Sequence, residues 1–247
     1  MIDLPTASWV VLAAAALLIG VAKTALPGAG TLAVAAFAAV LPARESTAAL
    51  LVLLIVGDLV AIWTYRRDCD FQALRRLVPT VLVGLVLGAV FLALADDTVM
   101  RRTIGVILLA LIALTLLLMH RGTLSSDATL TNPRVRGVYG VLGGFTTMAA
   151  NSGGPVMTMY FLAARFDMVR FLATQAWFFF CVNVAKLPFS IGLGLLQTDM
   201  LPALAALVPL VLLGAFVGRR WVKRLDKDLF QRIIIVLTVL SALYLLR

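Results

Sequence analysis

Charge, histidine and cysteine are all scarce in this chain, and each shortage narrows what it can be. Only 13% of its 247 residues are Asp, Glu, Lys or Arg, against 62% hydrophobic residues and a mean hydropathy of +1.05. A typical soluble domain carries about 25% charge, so the composition belongs to an integral membrane protein. The single histidine, His120, lies beside a polar loop; of the two cysteines, Cys69 sits in an Arg-rich stretch and Cys181 inside an apolar run. That usage gives neither a metal cluster nor a disulfide framework, and no nucleophile-base pair is present, so an enzyme is not expected. Alternation of polar and apolar residues is missing too, which argues against a β-barrel. Before the apolar run from Ala7 to Val21 there is Asp3 but no Lys or Arg. A secretory signal needs a basic stretch there, so the first segment is expected to be retained.

What the chain has instead is apolar runs along its whole length, many of them near the ~20 residues that carry a helix across a bilayer. In the first half they cover Ser8 to Leu26, Thr31 to Leu41, Ser46 to Tyr65, Leu77 to Ala95 and Thr103 to Met119. The second half repeats the order with Gly137 to Ala150, Val156 to Ala164, Phe171 to Leu196, Leu201 to Gly218 and Leu229 to Leu246. Leu77-Val78-Pro79 and Gly84 return as Leu207-Val208-Pro209 and Gly214 at an offset of 130, and Asp96 matches Asp226 at the same offset. Coincidence of Pro, Gly and Asp at one spacing points to a duplicated unit rather than chance likeness between Leu-rich helices.

The net charge of +9 would suit nucleic acid or acidic lipid. Its Arg and Lys, however, stand in short loops, where they set topology. Arg66, Arg67, Arg75 and Arg76 form one cluster, and Arg219, Arg220, Lys223, Arg224 and Lys227 form another. Placing both in the cytoplasm puts the N-terminus and the Pro42 to Glu45 loop outside, with the linker from His120 to Arg136 inside. The halves then enter the membrane from opposite sides. The expected fold is an all-α polytopic membrane protein with an inverted-topology repeat. Residues 1–120 form the first repeat, 121–136 a cytoplasmic linker and 137–247 the second repeat. Each half contributes a re-entrant or short helical hairpin plus three transmembrane helices, because Gly137 to Ala150 and Val156 to Ala164 would rise only about 21 and 14 Å.

Two breaks interrupt this apolar sequence: Pro27-Gly28-Ala29-Gly30 and Asn151-Ser152-Gly153-Gly154-Pro155. An offset of 124 aligns Gly30 with Gly154, Gly20 with Gly144 and Ala25 with Ala149. Non-helical backbone at membrane depth survives only where protein or a water-filled cavity covers it. A short helix follows each break, so two helix N-termini would point inward with free amides and partial positive charge, which suits an anion. The plain alternative is that the glycines only permit tight helix packing.

Lys23, one turn before the first break, and Lys186, inside an apolar run, add positive charge. A membrane-buried Lys costs roughly 2.5–3.5 kcal/mol at a helix centre and so requires a partner, a cavity or an anion. Asn183 shares a helix face with Lys186, and Thr174 and Gln175 lie two to three turns earlier. Asp58 is the acidic residue well inside an apolar run and aligns with Asn183 at an offset of 125. It reads either as a structural ion pair with one of the lysines or as a proton-coupling group. Trp9, Trp63, Tyr65, Trp177 and Trp221 have an ordinary reading as interfacial anchors or packing.

Taken together, Lys23-x-x-x-Pro27-Gly28-x-Gly30, Asp58 followed by Tyr65-Arg66-Arg67, Ala150-Asn151-Ser152-Gly153-Gly154-Pro155 and Asn183-x-x-Lys186-Leu187-Pro188 resemble the TauE/SafE sulfite exporter family. The likeness runs over nearly the whole chain. It implies a multi-pass transporter of a bacterial or archaeal cytoplasmic (inner) membrane, carrying a small inorganic or organosulfur anion such as sulfite, sulfoacetate or a related sulfonate. Thr24-Ala25-Leu26 is more apolar than the Gly-rich approach to the first break expected in that family. The resulting reading is a secondary transporter working by alternating access, in the export direction. Its expected substrate site comprises Lys23, Pro27, Gly28, Gly30, Asn151, Ser152, Gly153, Gly154, Gln175, Asn183 and Lys186. A coupled proton, membrane lipid and a second copy of the chain (a homodimer) are further candidate partners; nucleic acid, metal and cofactors are not expected. A passive anion channel and a non-transporting membrane scaffold are the alternatives.

Overall fold

The computed structural model describes residues 5–41, 43–94, 132–192, 194–196 and 198–222, with scattered positions between 96–113 and 224–243. Most of the helices expected over Thr103 to Met119 and Leu229 to Leu246, and most of the linker, lie outside the described residues. The rest is helical: α1 Thr6–Thr24, a 3-10 turn Pro27–Ala29, α2 Gly30–Val40, α3 Ala43–Tyr65, α4 Phe71–Leu94, α5 Pro133–Ala150, α6 Gly153–Ala163, α7 Met168–Gly192 and α8 Leu201–Val222. No strand occurs among the described residues. Five of these helices, α1, α3, α4, α7 and α8, are long and apolar enough to cross a membrane. On α4, Val78, Leu82, Val83, Val86, Leu87 and Val90 are all at least half exposed, a continuous apolar face that fits lipid rather than water.

Several helices start earlier than their apolar runs, and the reason is capping. α4 begins at Phe71 rather than Leu77 because the Asp70 carboxylate accepts the Ala73 amide at 2.9 Å. α7 begins at Met168 because Asp167 accepts the amides of Val169 and Arg170 at 3.1 and 3.0 Å. Asn132 and Pro133, expected in the linker, instead open α5: the Asn132 side chain accepts from Arg134 and Val135, and Pro133 takes a first-turn position where no amide is needed. At 18 residues, α5 rises about 27 Å, more than its apolar run implied. α1, with 19 residues, is likewise a full-length arm, while α2 and α6 have 11 each. α3 starts at Ala43, so the expected Pro42 to Glu45 loop is mostly helix.

The helices of the two halves interlock. α1 packs on α8 through Gly20, where an added methyl would overlap the Val211 carbonyl and the Ala215 amide, and through Gly214, where it would overlap Leu17. α5 packs on α4 through Gly144, blocked by Val81 and Leu85, and Gly84, blocked by Val141. The offsets of 124 and 130 read from the sequence map one set of contacts onto the other. Both pairs run parallel and rest on small residues spaced by four, the arrangement that lets membrane helices approach backbone to backbone. Thr24 adds a bond from its hydroxyl to the Ala215 carbonyl across the first pair, at 3.1 Å.

α3 and α7 cross between these pairs and run antiparallel to each other: Asp58 meets Asn183, and beyond the end of α3 the Asp70 amide meets Thr174 Oγ1 at 3.0 Å.

Candidate functional site

Both breaks sit where the sequence puts them, and they touch. In the first, the amides of Ala25 and Leu26 bond back to the Val21 carbonyl and end α1, and the 3-10 turn Pro27–Ala29 follows, with the Ala29 amide on the Leu26 carbonyl at 2.8 Å and the Gly30 amide on the Pro27 carbonyl. The second turns at Asn151, whose φ of 52° lies in the left-handed region that Asn tolerates better than most residues. Its amide and that of Ser152 bond to the carbonyls of Thr147 and Thr146 at 3.0 and 3.1 Å. α2 and α6 then start from adjacent points, with Gly154 close enough to Pro27 that an added methyl would lie 3.3 Å from its carbonyl oxygen. The first-turn amides of each helix have no partner within that helix.

A cavity of about 40 Å³ lies at this junction. At ~10–15 Å³ per water in the same measure, it has room for a few waters or for an ion of a few heavy atoms. Lys23, Pro27, Gly30, Asp58, Asn151, Gly154, Gln175 and Asn183 all line it. Ser152 and Gly153 are buried behind the turn, and Gly28 lies within the 3-10 turn itself. Lys186, 1% exposed, sits one layer back.

The two lysines are held differently. Lys23 Nζ lies 2.6 Å from Asp58 Oδ1 and 4.8 Å from the centre of the Phe179 ring. Asp58 is fully buried, and its other oxygen accepts from Asn183 Nδ2 at 2.7 Å. Charge-assisted bonds of that length compensate much of the cost of burying a carboxylate. Lys186 Nζ instead donates to the Thr147 carbonyl at 2.7 Å and to Asn151 Oδ1. Both acceptors are neutral, and among the described residues no carboxylate pairs with Lys186. The Asn151 amide in turn donates to the Thr47 carbonyl at 3.0 Å, which fixes which way it faces. With Asp58 ionised and both lysines protonated, the site carries one uncompensated positive charge beside two helix N-termini. Its electrostatics favour an anion.

A family model for the sulfite exporter TauE/SafE matches residues 12–245. The chain belongs to the TauE/SafE family. Comparison with curated proteins and with solved structures gave no match. Membership makes this a transport protein of the membrane, and its family of sulfite exporters implies a small anion as cargo. The matched region includes both breaks, both lysines, Asp58 and Asn183.

Some participants were not visible in sequence. The Thr147 carbonyl, in the last turn of α5, accepts from Lys186 as well as from the Asn151 amide, a double use that residue spacing does not reveal. Phe179, two turns before Lys186 on α7, lies against Lys23 of α1. At the far end of α7, Arg170 pairs with Asp70 and covers the Phe166 ring at 4.3 Å. Burial works to raise the Asp70 carboxyl, but bonds from the Ala73 amide and Arg170 outweigh it and hold the group below its ordinary range. Beside it, burial pushes the Cys69 thiol up to about 11.

Proposed function

We propose that this chain is a secondary transporter that exports a small sulfur-containing anion, such as sulfite or a sulfonate, across a bacterial or archaeal cytoplasmic membrane by alternating access. The observation that carries the reading is Lys186, whose buried Nζ meets neutral acceptors alone among the described residues, behind a cavity where two helix N-termini meet. A bound anion supplies the missing countercharge. Asn151 and the amides of the glycine turns supply hydrogen bonds, and the Lys23–Asp58 pair forms the opposite wall.

The equivalent contacts of the two halves, together with the antiparallel course of α3 and α7, support an inverted repeat of residues 1–120 and 137–247 about the Asp58–Asn183 contact. The arginine clusters support cytoplasmic placement of the α3–α4 loop and the end of α8. A cavity of only about 40 Å³ favours a carrier over a continuous pore.

Uptake of sulfite, sulfoacetate and thiosulfate into proteoliposomes, with and without a pH gradient, tests this. Saturable uptake of at least one anion is expected. A folded, reconstituted protein that moves none of them refutes the reading.

A further inference from the structure

The Asn183 side chain holds one more piece of information about the cargo. Its amide nitrogen donates to Asp58, and a carboxylate paired with Lys23 can only accept, so the two ends of this amide are not interchangeable. Asn183 Oδ1 is therefore fixed as an acceptor. It is buried and has no hydrogen-bond partner among the described residues, and its residue lines the cavity. Gln175 does not carry the same message: its Nε2 is 3.4 Å from Thr158 Oγ1, and a hydroxyl serves either end of an amide, so Gln175 can turn around.

A buried carbonyl oxygen without a donor costs about 1–3 kcal/mol, and it repels the oxygens of a fully deprotonated anion. Resting on the anion site proposed above, we infer that the site selects an acid oxyanion: a monoanion that keeps one proton and donates it to Asn183 Oδ1, as hydrogen sulfite can. The charge count agrees. Lys23 and Asp58 cancel, and Lys186 leaves one positive charge for one negative charge. A proton then crosses on the anion itself, and Asp58 keeps its charge and its hold on Lys23 throughout.

Calorimetric binding to the purified protein, at a mildly acidic pH where sulfite is chiefly hydrogen sulfite, tests the inference against two other anions. Chlorate is a pyramidal three-oxygen monoanion with no proton to give, and sulfate is a dianion. Hydrogen sulfite is expected to bind about five- to tenfold more tightly than chlorate, with sulfate weaker still. Asn183→Leu should remove the gap between hydrogen sulfite and chlorate. Chlorate or sulfate binding as tightly as hydrogen sulfite overturns the inference while leaving the anion site standing, and so does a gap that survives Asn183→Leu. The wild-type comparison decides even where the variant fails to fold. Binding of none of the three removes the anion site and the inference together.

Discussion

The two breaks share an architecture and differ in how they hold charge. At the first, Lys23 is neutralised by Asp58 at 2.6 Å; at the second, Lys186 meets, among the described residues, only a backbone carbonyl and an amide oxygen. Asn183, which the sequence offset of 125 aligns with Asp58, hydrogen-bonds Asp58 itself. Among the described residues, one acid thus serves the whole site. The difference separates a pair that holds the structure together from a single charge that needs an anion.

Breaking the pair should have the largest effect. Asp58→Ala leaves the mostly buried Lys23 ammonium against Phe179 with no countercharge, and removing one member of a buried ion pair typically costs about 3–5 kcal/mol. Thermal unfolding in detergent should show a large loss, and Lys23→Met in the same chain should restore most of it. Unchanged stability in Asp58→Ala would mean that the pair is not structural.

Lys186→Met should do the opposite. The apo protein loses an uncompensated buried charge, so its thermal stability should hold or rise. Anion uptake, however, should fall by about a hundredfold, in line with ~2–3 kcal/mol for a charge-assisted contact. Uptake close to wild type would show that the lone charge is not what binds the cargo.

Next in size is packing, where the halves should behave alike. Gly20→Ala and Gly144→Ala each drive a methyl into the backbone of the facing helix, and overpacking costs about 1–3 kcal/mol. The two variants should lose similar stability. A large difference between them would break the equivalence of α1 on α8 with α5 on α4.

Much of this comparison was readable in the sequence. Hydropathy exposed the helices because a membrane helix must be apolar over most of its length, and the offset between Asp58 and Asn183 predicted equivalent positions that do meet. Helix starts were less legible. A scan for apolar runs stops at Arg75 or Arg136, whereas the helices begin at the Asp70 and Asn132 caps several residues earlier. The sequence also gave no sign that each half's first helix packs on the other half's fourth. Small residues spaced by four mark a packing face but not the partner of that face.

The smallest expected effect comes from an ion pair of the ordinary kind, Asp70 with Arg170, outside the membrane-spanning segments. Its arginine is nearly half exposed, so solvent screening limits the pair to below about 1 kcal/mol. The Asp70 carboxyl is held below its unfolded value. Its contribution is therefore present above the ordinary carboxylate range and is lost as pH falls through the lowered folded value. Asp70→Asn should consequently cost little stability at neutral pH and flatten the acid limb of the stability curve. If Asp70→Asn instead destabilised the protein as much as Asp58→Ala, burial would not be what separates the two pairs. The contrast between Asp58 and Asp70 would then need another cause, such as loss of the Asp70 cap on α4 through its bond from Ala73.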